Sequence, residues 1–276
     1  MRRFETVDIG YELSVSLSPG DDDSIPVVFI NALGTAQDQW DQVLPRLYLH
    51  TVLTYDRPGI GRSDPLPPHL ADQPRTIGAL ADELRQLLDT LGISSPHVVV
   101  GHSLGALIAR MYTARHGSHV AGLVLVDPTT RQHLAETGWP DRDGGTDSPG
   151  SSLLDISASI TELGTAIPPP VPAVVLASAP GRWLRLTPAQ AAEYAPRTPE
   201  QLDAQWQDGQ HRLAASLGPH ALLVVADWAG HHIATDQPEL VAACITAAVA
   251  AAHGARPVSI PAAQLRYAGG SCRTIE

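Results

Sequence analysis

The chain has 276 residues, 43% apolar and 17% charged, with 18 basic against 29 acidic side chains for a formal charge of −11. That length and balance fit one globular α/β domain with room for a modest insertion, and exclude a disordered chain. Every basic residue is arginine, and the acidic excess leaves no basic face for nucleic acid or an anionic membrane, so neither is expected as a partner. Glu5 and Asp8 interrupt the start before an apolar core of signal-peptide length forms, and no apolar run reaches the length of a membrane span. Cys244 and Cys272 do not make a disulfide framework, so a cytoplasmic setting is expected.

Residues 4–9 and 11–17 alternate apolar and polar side chains around Gly10, which predicts an antiparallel hairpin at one sheet edge. After the solvated turn at Gly20 and Asp21-Asp22-Asp23, residues 26–30 form the first buried strand and end in Asn31-Ala32-Leu33-Gly34-Thr35. Trp40, Val43, Leu44 and Leu47 share one face at helical spacing, a core-packing face. Residues 51–55 make the next strand. It runs into Asp56-Arg57-Pro58-Gly59-Ile60-Gly61-Arg62-Ser63-Asp64, a turn-rich loop that its charged residues are expected to brace by hydrogen bonds and ion pairs. Ile77, Leu80, Ala81, Leu84, Leu87, Leu88 and Leu91 predict a long helix, with Gly92 as its stop.

Val98, Val99 and Val100 then read as a strand buried on both faces, and residues 104–109 as the start of an apolar helix. Between them stands Gly101-His102-Ser103-Leu104-Gly105, a G-x-S-x-G match. At a strand-to-helix turn this pattern projects a serine hydroxyl above the sheet, with glycines where side chains would collide. Residues 120–126 form another buried strand, ending in Asp127-Pro128. Periodicity is lost over 129–170 apart from a short helix candidate near 153–163. The sheet resumes at 172–177, Leu202, Trp206, Leu213 and Leu217 share a helix, and 221–226 is the last strand before Gly230-His231-His232. Pro238 opens a final helix. Strands alternating with helices predict a parallel sheet with crossovers. The expected division is a core of 1–127 and 171–253, a small mobile cap of 128–170, and a loosely ordered tail of 254–276.

The G-x-S-x-G turn and the D-R-P-G-I-G-R-S-D loop resemble the α/β-hydrolase fold superfamily. Asn31-Ala32-Leu33-Gly34-Thr35 with Trp40 is similar to the turn of its enol-lactonase-like members. The resemblance implies a doubly wound, mostly parallel sheet with a small cap inserted after the sixth strand. It also implies a serine hydrolase without cofactor or metal, acting on a small-molecule carboxylic ester or lactone, with a homo-oligomer allowed. In its order of serine, acid and histidine, Ser103 is the nucleophile and His231 the base, with His232 as competitor. The common position of the acid, after residues 172–177, carries Ser178-Ala179-Pro180-Gly181-Arg182 and no carboxylate. A minority place the acid one strand earlier, where Asp127 stands; Asp227 ranks second. The backbone N–H groups of Leu33 and Leu104 are assigned to the oxyanion hole, and Asn31, His102 and His232 to the substrate pocket. Should Asp127 only cap its own Asp-Pro turn, Asp141, Asp143, Asp147 and Asp155 of the cap are the remaining acids. Two rivals use the same frame: an acyltransferase or cyclase of a biosynthetic intermediate, and a non-enzymatic ligand-binding member.

Overall fold

The computed structural model describes residues 2–21, 23–137, 147, 151–254 and 256–275. The edge hairpin forms as β1 (Glu5–Asp8) and β2 (Glu12–Ser18). The buried runs become β3 (Val27–Ile30), β4 (Val52–Tyr55), β5 (His97–His102), β6 (Val120–Val126), β7 (Ala173–Ala177) and β8 (Ala221–Ala226), and β9 (Gly270–Arg273) follows near the end; the short helices α1 (Pro68–Ala71) and α6 (Pro188–Glu193) lie in the connections after β4 and β7. In one sheet their order is β1-β2-β4-β3-β5-β6-β7-β8-β9, parallel from β4 to β8 and antiparallel at both ends.

The central strands are apolar without interruption because both sheet faces are covered. Val28, Ile30, Val99, Leu123 and Val175 face a layer built by α2 (Ile77–Thr90), α3 (Leu104–Arg115) and the end of α7 (Pro199–Ser216). Their neighbours Val27, Phe29, Val98, Val100, Val124 and Val174 face α9 (Pro238–Gly254) on the other side. A shift of one residue in any of these strands would exchange its two sets between layers. Trp40, Val43 and Leu47 are buried as expected, but Trp40 and Leu47 lie on two short 3-10 turns with Val43 between them and not on one helix, since Pro45 in the second turn lacks the N–H that a continuous helix uses.

The described part of the expected cap holds α4 (Arg131–Thr137) and α5 (Ile156–Thr165), the latter close to the predicted helix candidate. Asp155 caps α5 by accepting the N–H of Ala158 at 2.8 Å. The helix is moored to α2, where the N–H of Ile77 donates to Ser159 Oγ at 3.0 Å and that of Gly78 to Glu162 Oε2 at 3.0 Å. Asp141 and Asp143 lie outside the described residues. Among those residues no helix is long and apolar enough to cross a membrane.

The expectation of a loose tail is corrected. α10 (Ala262–Ala268) ends at Gly269 in the left-handed region (φ 77°), and β9 then pairs antiparallel with β8 from Gly270 opposite Ala226 to Arg273 opposite Leu223. Val258, Ile260, Leu265 and Ala268 are buried in the α9-side core. Gln237 holds the turn by donating to the carbonyls of Ala268 (3.2 Å) and Gly269 (2.6 Å). The open edge of β8 offers a row of unpaired backbone groups, and four scattered apolar side chains suffice to seat the strand that covers it.

Candidate active site

The site stands at the carboxyl ends of β5, β6 and β8. Ser103 follows β5 with φ 54° and ψ −114°, a backbone conformation costly for a residue with a side chain. The sequence makes room for it. A Cβ on Gly101 would enter the carbonyl of Gly105, and one on Gly105 would strike the carbonyls of Ile30 and Asn31. The turn therefore rests directly on the end of β3, and Ser103 becomes the N-cap residue of α3 with its side chain directed away from capping.

His231 bridges the site. Its Nδ1–H donates to Asp127 Oδ2 at 2.7 Å, and its Nε2 lies 3.0 Å from Ser103 Oγ. A carboxylate only accepts, so the ring proton is on Nδ1, and Nε2 is left to accept from the serine hydroxyl. Thr129 Oγ1 lies 3.3 Å from the same Ser103 oxygen and can donate to it, while the Thr129 N–H donates to the Ser103 carbonyl at 3.2 Å.

Asp127 is fully buried and saturated with donors. Oδ1 accepts from the Ser178 N–H (2.9 Å) and Trp206 Nε1 (3.0 Å), while Oδ2 accepts from His231 and from Arg182. Its backbone also turns left-handed, with φ 37°. Burial opposes its charge, but the Arg182 guanidinium and the His231 hydrogen bond outweigh that and hold the carboxyl far below its usual range. Arg182 is stacked over Trp206 (4.3 Å) and Trp183 (4.8 Å). Burial, then the Arg182 charge, lower the pKa of His231; the Asp127 hydrogen bond works against both and loses. His102 is buried beneath the site and donates from Nε2 to the carbonyl of His231 at 2.8 Å. Burial and the neighbouring His231 keep it neutral, well below the usual histidine range.

Ser103, Thr129, His133, Arg182, Trp183, Tyr194, Trp206 and His231 line a cleft of about 160 Å³. Its walls are aromatic: His133 lies 5.1 Å from Trp206 and 5.6 Å from Trp183, and Trp183 lies 5.2 Å from Tyr194. Leu33 stands in the loop after β3, on whose end the serine turn rests. Among the described residues, the N–H groups of Leu33 and Leu104 have no protein acceptor.

A sequence profile of the family described as the alpha/beta hydrolase fold matches residues 25–146. The sheet order and the strained serine turn fit it. The chain carries the alpha/beta hydrolase fold. Among solved structures this chain is similar to a lipase from Acinetobacter baumannii described as putative (TM-score 0.64, 16% identity, covering 92% of this chain and 93% of that one). It is also similar to haloalkane dehalogenase DbeA from Bradyrhizobium elkani (TM-score 0.62, 16% identity, covering 92% and 100%). By sequence it is 38% identical over 120 residues to an AB hydrolase superfamily protein of Gibberella zeae, covering 42% of this chain and 36% of the relative. It is 25% identical over 229 residues to the protein YqjL of Bacillus subtilis, covering 79% and 80%. The chain spans 36%, 15% and 16% of the lengths of the first three curated relatives it matches.

Set against the sequence expectations, the fold brings Ser103, His231 and Asp127 together. Asp127 reaches across to β7 and His231 and does not cap its own turn. Asp227 is exposed, with its backbone N–H on Gly269. The pocket assignments are corrected. Asn31 is buried with its amide on the Tyr55 carbonyl (2.8 Å) and the Trp40 Nε1–H (2.9 Å), so it braces the turn. His102 supports His231 from below, and His232 is exposed at the start of α8 (Ile233–Asp236), outside the cleft lining. In their place stand Thr129, His133, Arg182, Trp183, Tyr194 and Trp206, which sequence reasoning missed. Arg182 alone carried a signal, standing where a carboxylate was expected.

Proposed function

We propose that this chain is a serine hydrolase that cleaves a carboxylic ester or lactone through an acyl-serine intermediate. The observation that carries it is the unbroken hydrogen-bond chain from a buried, ionised Asp127 through His231 to Ser103. A serine hydroxyl is a weak nucleophile until a neighbouring base takes its proton. In this reading His231 Nε2 accepts that proton as Ser103 Oγ bonds to the acyl carbon, and Asp127 stabilises the imidazolium. The carbonyl oxygen becomes an oxyanion facing the N–H groups of Leu33 and Leu104, each such donor contributing about 3–4 kcal/mol in related chemistry. His231 then returns the proton to the departing alkoxide, and water, activated by the same ring, releases the acid. The aromatic walls and the cleft of about 160 Å³ suit a small, apolar acyl group. The acidic, lysine-free composition supports a small-molecule substrate as partner, and the free Cys244 and Cys272 support a cytoplasmic setting.

Treatment with a fluorophosphonate followed by peptide mapping tests this reading. The expected label is on Ser103, abolished by His231→Ala. An unlabelled protein beside a reactive control esterase would overturn it and favour a ligand-binding role.

A further inference from the structure

Arg57, in the D-R-P-G loop after β4, is 1% exposed, and its guanidinium is committed on several sides. Nη1 donates to the Asn31 carbonyl at 2.7 Å, and Nη2 to the Ala32 carbonyl at 2.7 Å and Asp147 Oδ1 at 2.9 Å; Nε donates to Asp147 Oδ2. Asp147, 7% exposed and set between β6 and β7, also accepts the Gly34 N–H on Oδ1 at 2.7 Å. The pair thus grips the turn on both sides of Leu33. The grip has a direction as well as a place. A trans peptide is planar, with C=O and N–H on opposite sides. Anchoring the Ala32 carbonyl on Arg57 therefore turns the N–H of the same peptide, that of Leu33, to the other side.

Stability is a poor account of this arrangement, because a buried ion pair rarely repays its desolvation against an apolar replacement. We infer that Arg57 and Asp147 are positioning residues, a latch that aims the Leu33 N–H at the oxyanion and ties that aim to the segment between β6 and β7. The inference rests on the hydrolase reading and adds to it residues that do not touch the substrate. Burial works against the charge of Arg57, and Asp147 more than offsets it, raising the guanidinium above its ordinary value. Lysine in its place would keep the charge and lose the fork that reaches two carbonyls and a carboxylate at once.

The test uses Asp147→Asn and Arg57→Lys, with p-nitrophenyl acetate as substrate and a short alkyl trifluoromethyl ketone as the tetrahedral mimic. Losing a well-aimed oxyanion donor should lower kcat by about 10²-fold. KM should stay within a few-fold, and ketone affinity should fall by the same factor as kcat/KM. A merely structural pair would lower thermal stability and leave ketone affinity per folded molecule unchanged, which overturns the latch. Amide exchange of wild-type Gly34 keeps the inference falsifiable even where both variants fail to fold, since the latch requires a protected amide and free exchange overturns it. Absence of fluorophosphonate labelling in the wild type overturns the hydrolase reading instead, so the two failures are separable.

Discussion

Asp127→Asn exposes the logic of the site. Oδ1 of Asp127 takes two N–H donors, Ser178 and Trp206, and Oδ2 takes two more, Arg182 and His231. An asparagine must put its NH₂ on one side. Facing Ser178 and Trp206, it would meet two donors that cannot accept. Facing Arg182 and His231, it meets one such donor, because His231 can shift its proton to Nε2 and accept on Nδ1. The second orientation leaves fewer groups unpaired, so it prevails, and it points an N–H at Ser103 where a lone pair is needed. The expected loss in kcat is on the order of 10⁴-fold, as for the same change in other serine triads, which converts to about 5.4 kcal/mol at 1.36 kcal/mol per tenfold. The assay is p-nitrophenyl ester turnover, with the thermal midpoint read in parallel and Asp227→Asn as a control expected to keep most activity. A folded Asp127→Asn protein within tenfold of wild type would refute the tautomer argument and the role of Asp127 with it.

Ser103→Ala and His231→Ala should each lower kcat by up to about 10⁶-fold, and the double variant should lose little more, because the two act as one unit. Additive losses in steady-state kinetics would separate them. His231 works only when neutral, and burial with the Arg182 charge lowers its pKa from 6.5, so the acid limb of kcat/KM should lie below the ordinary histidine value. Arg182→Met removes the lowering charge while His232, His102 and Asp127 stay in place, so the limb should move to higher pH; an unmoved limb would show that Arg182 does not govern the base.

Much of this protein is written locally. A strand buried on both faces must be apolar at every position, so Val27–Ile30, Val98–Val100 and Val120–Val126 are legible without any partner in view. The serine turn is equally local: the glycines at 101 and 105 and the serine between them meet a requirement set within five residues. His231 follows from its place after the last parallel strand. What lies between elements distant in the chain was not legible. The short 258–273 segment looks polar and loose on its own, and becomes ordered only because β8 presents an open edge. Cleft walls come from α4, α7 and the loop after β7, so Trp206 reaches Asp127 across 79 positions and Arg182 across 55. Asn31 and His102 look like pocket residues by their neighbours in sequence, yet their polar atoms find partners behind the site. A backbone conformation is set by the residues that adopt it, whereas the direction of a polar side chain is set by whichever donor or acceptor folding brings within about 3 Å, and for Asp127, Arg57 and Asp147 only the tertiary structure made that choice.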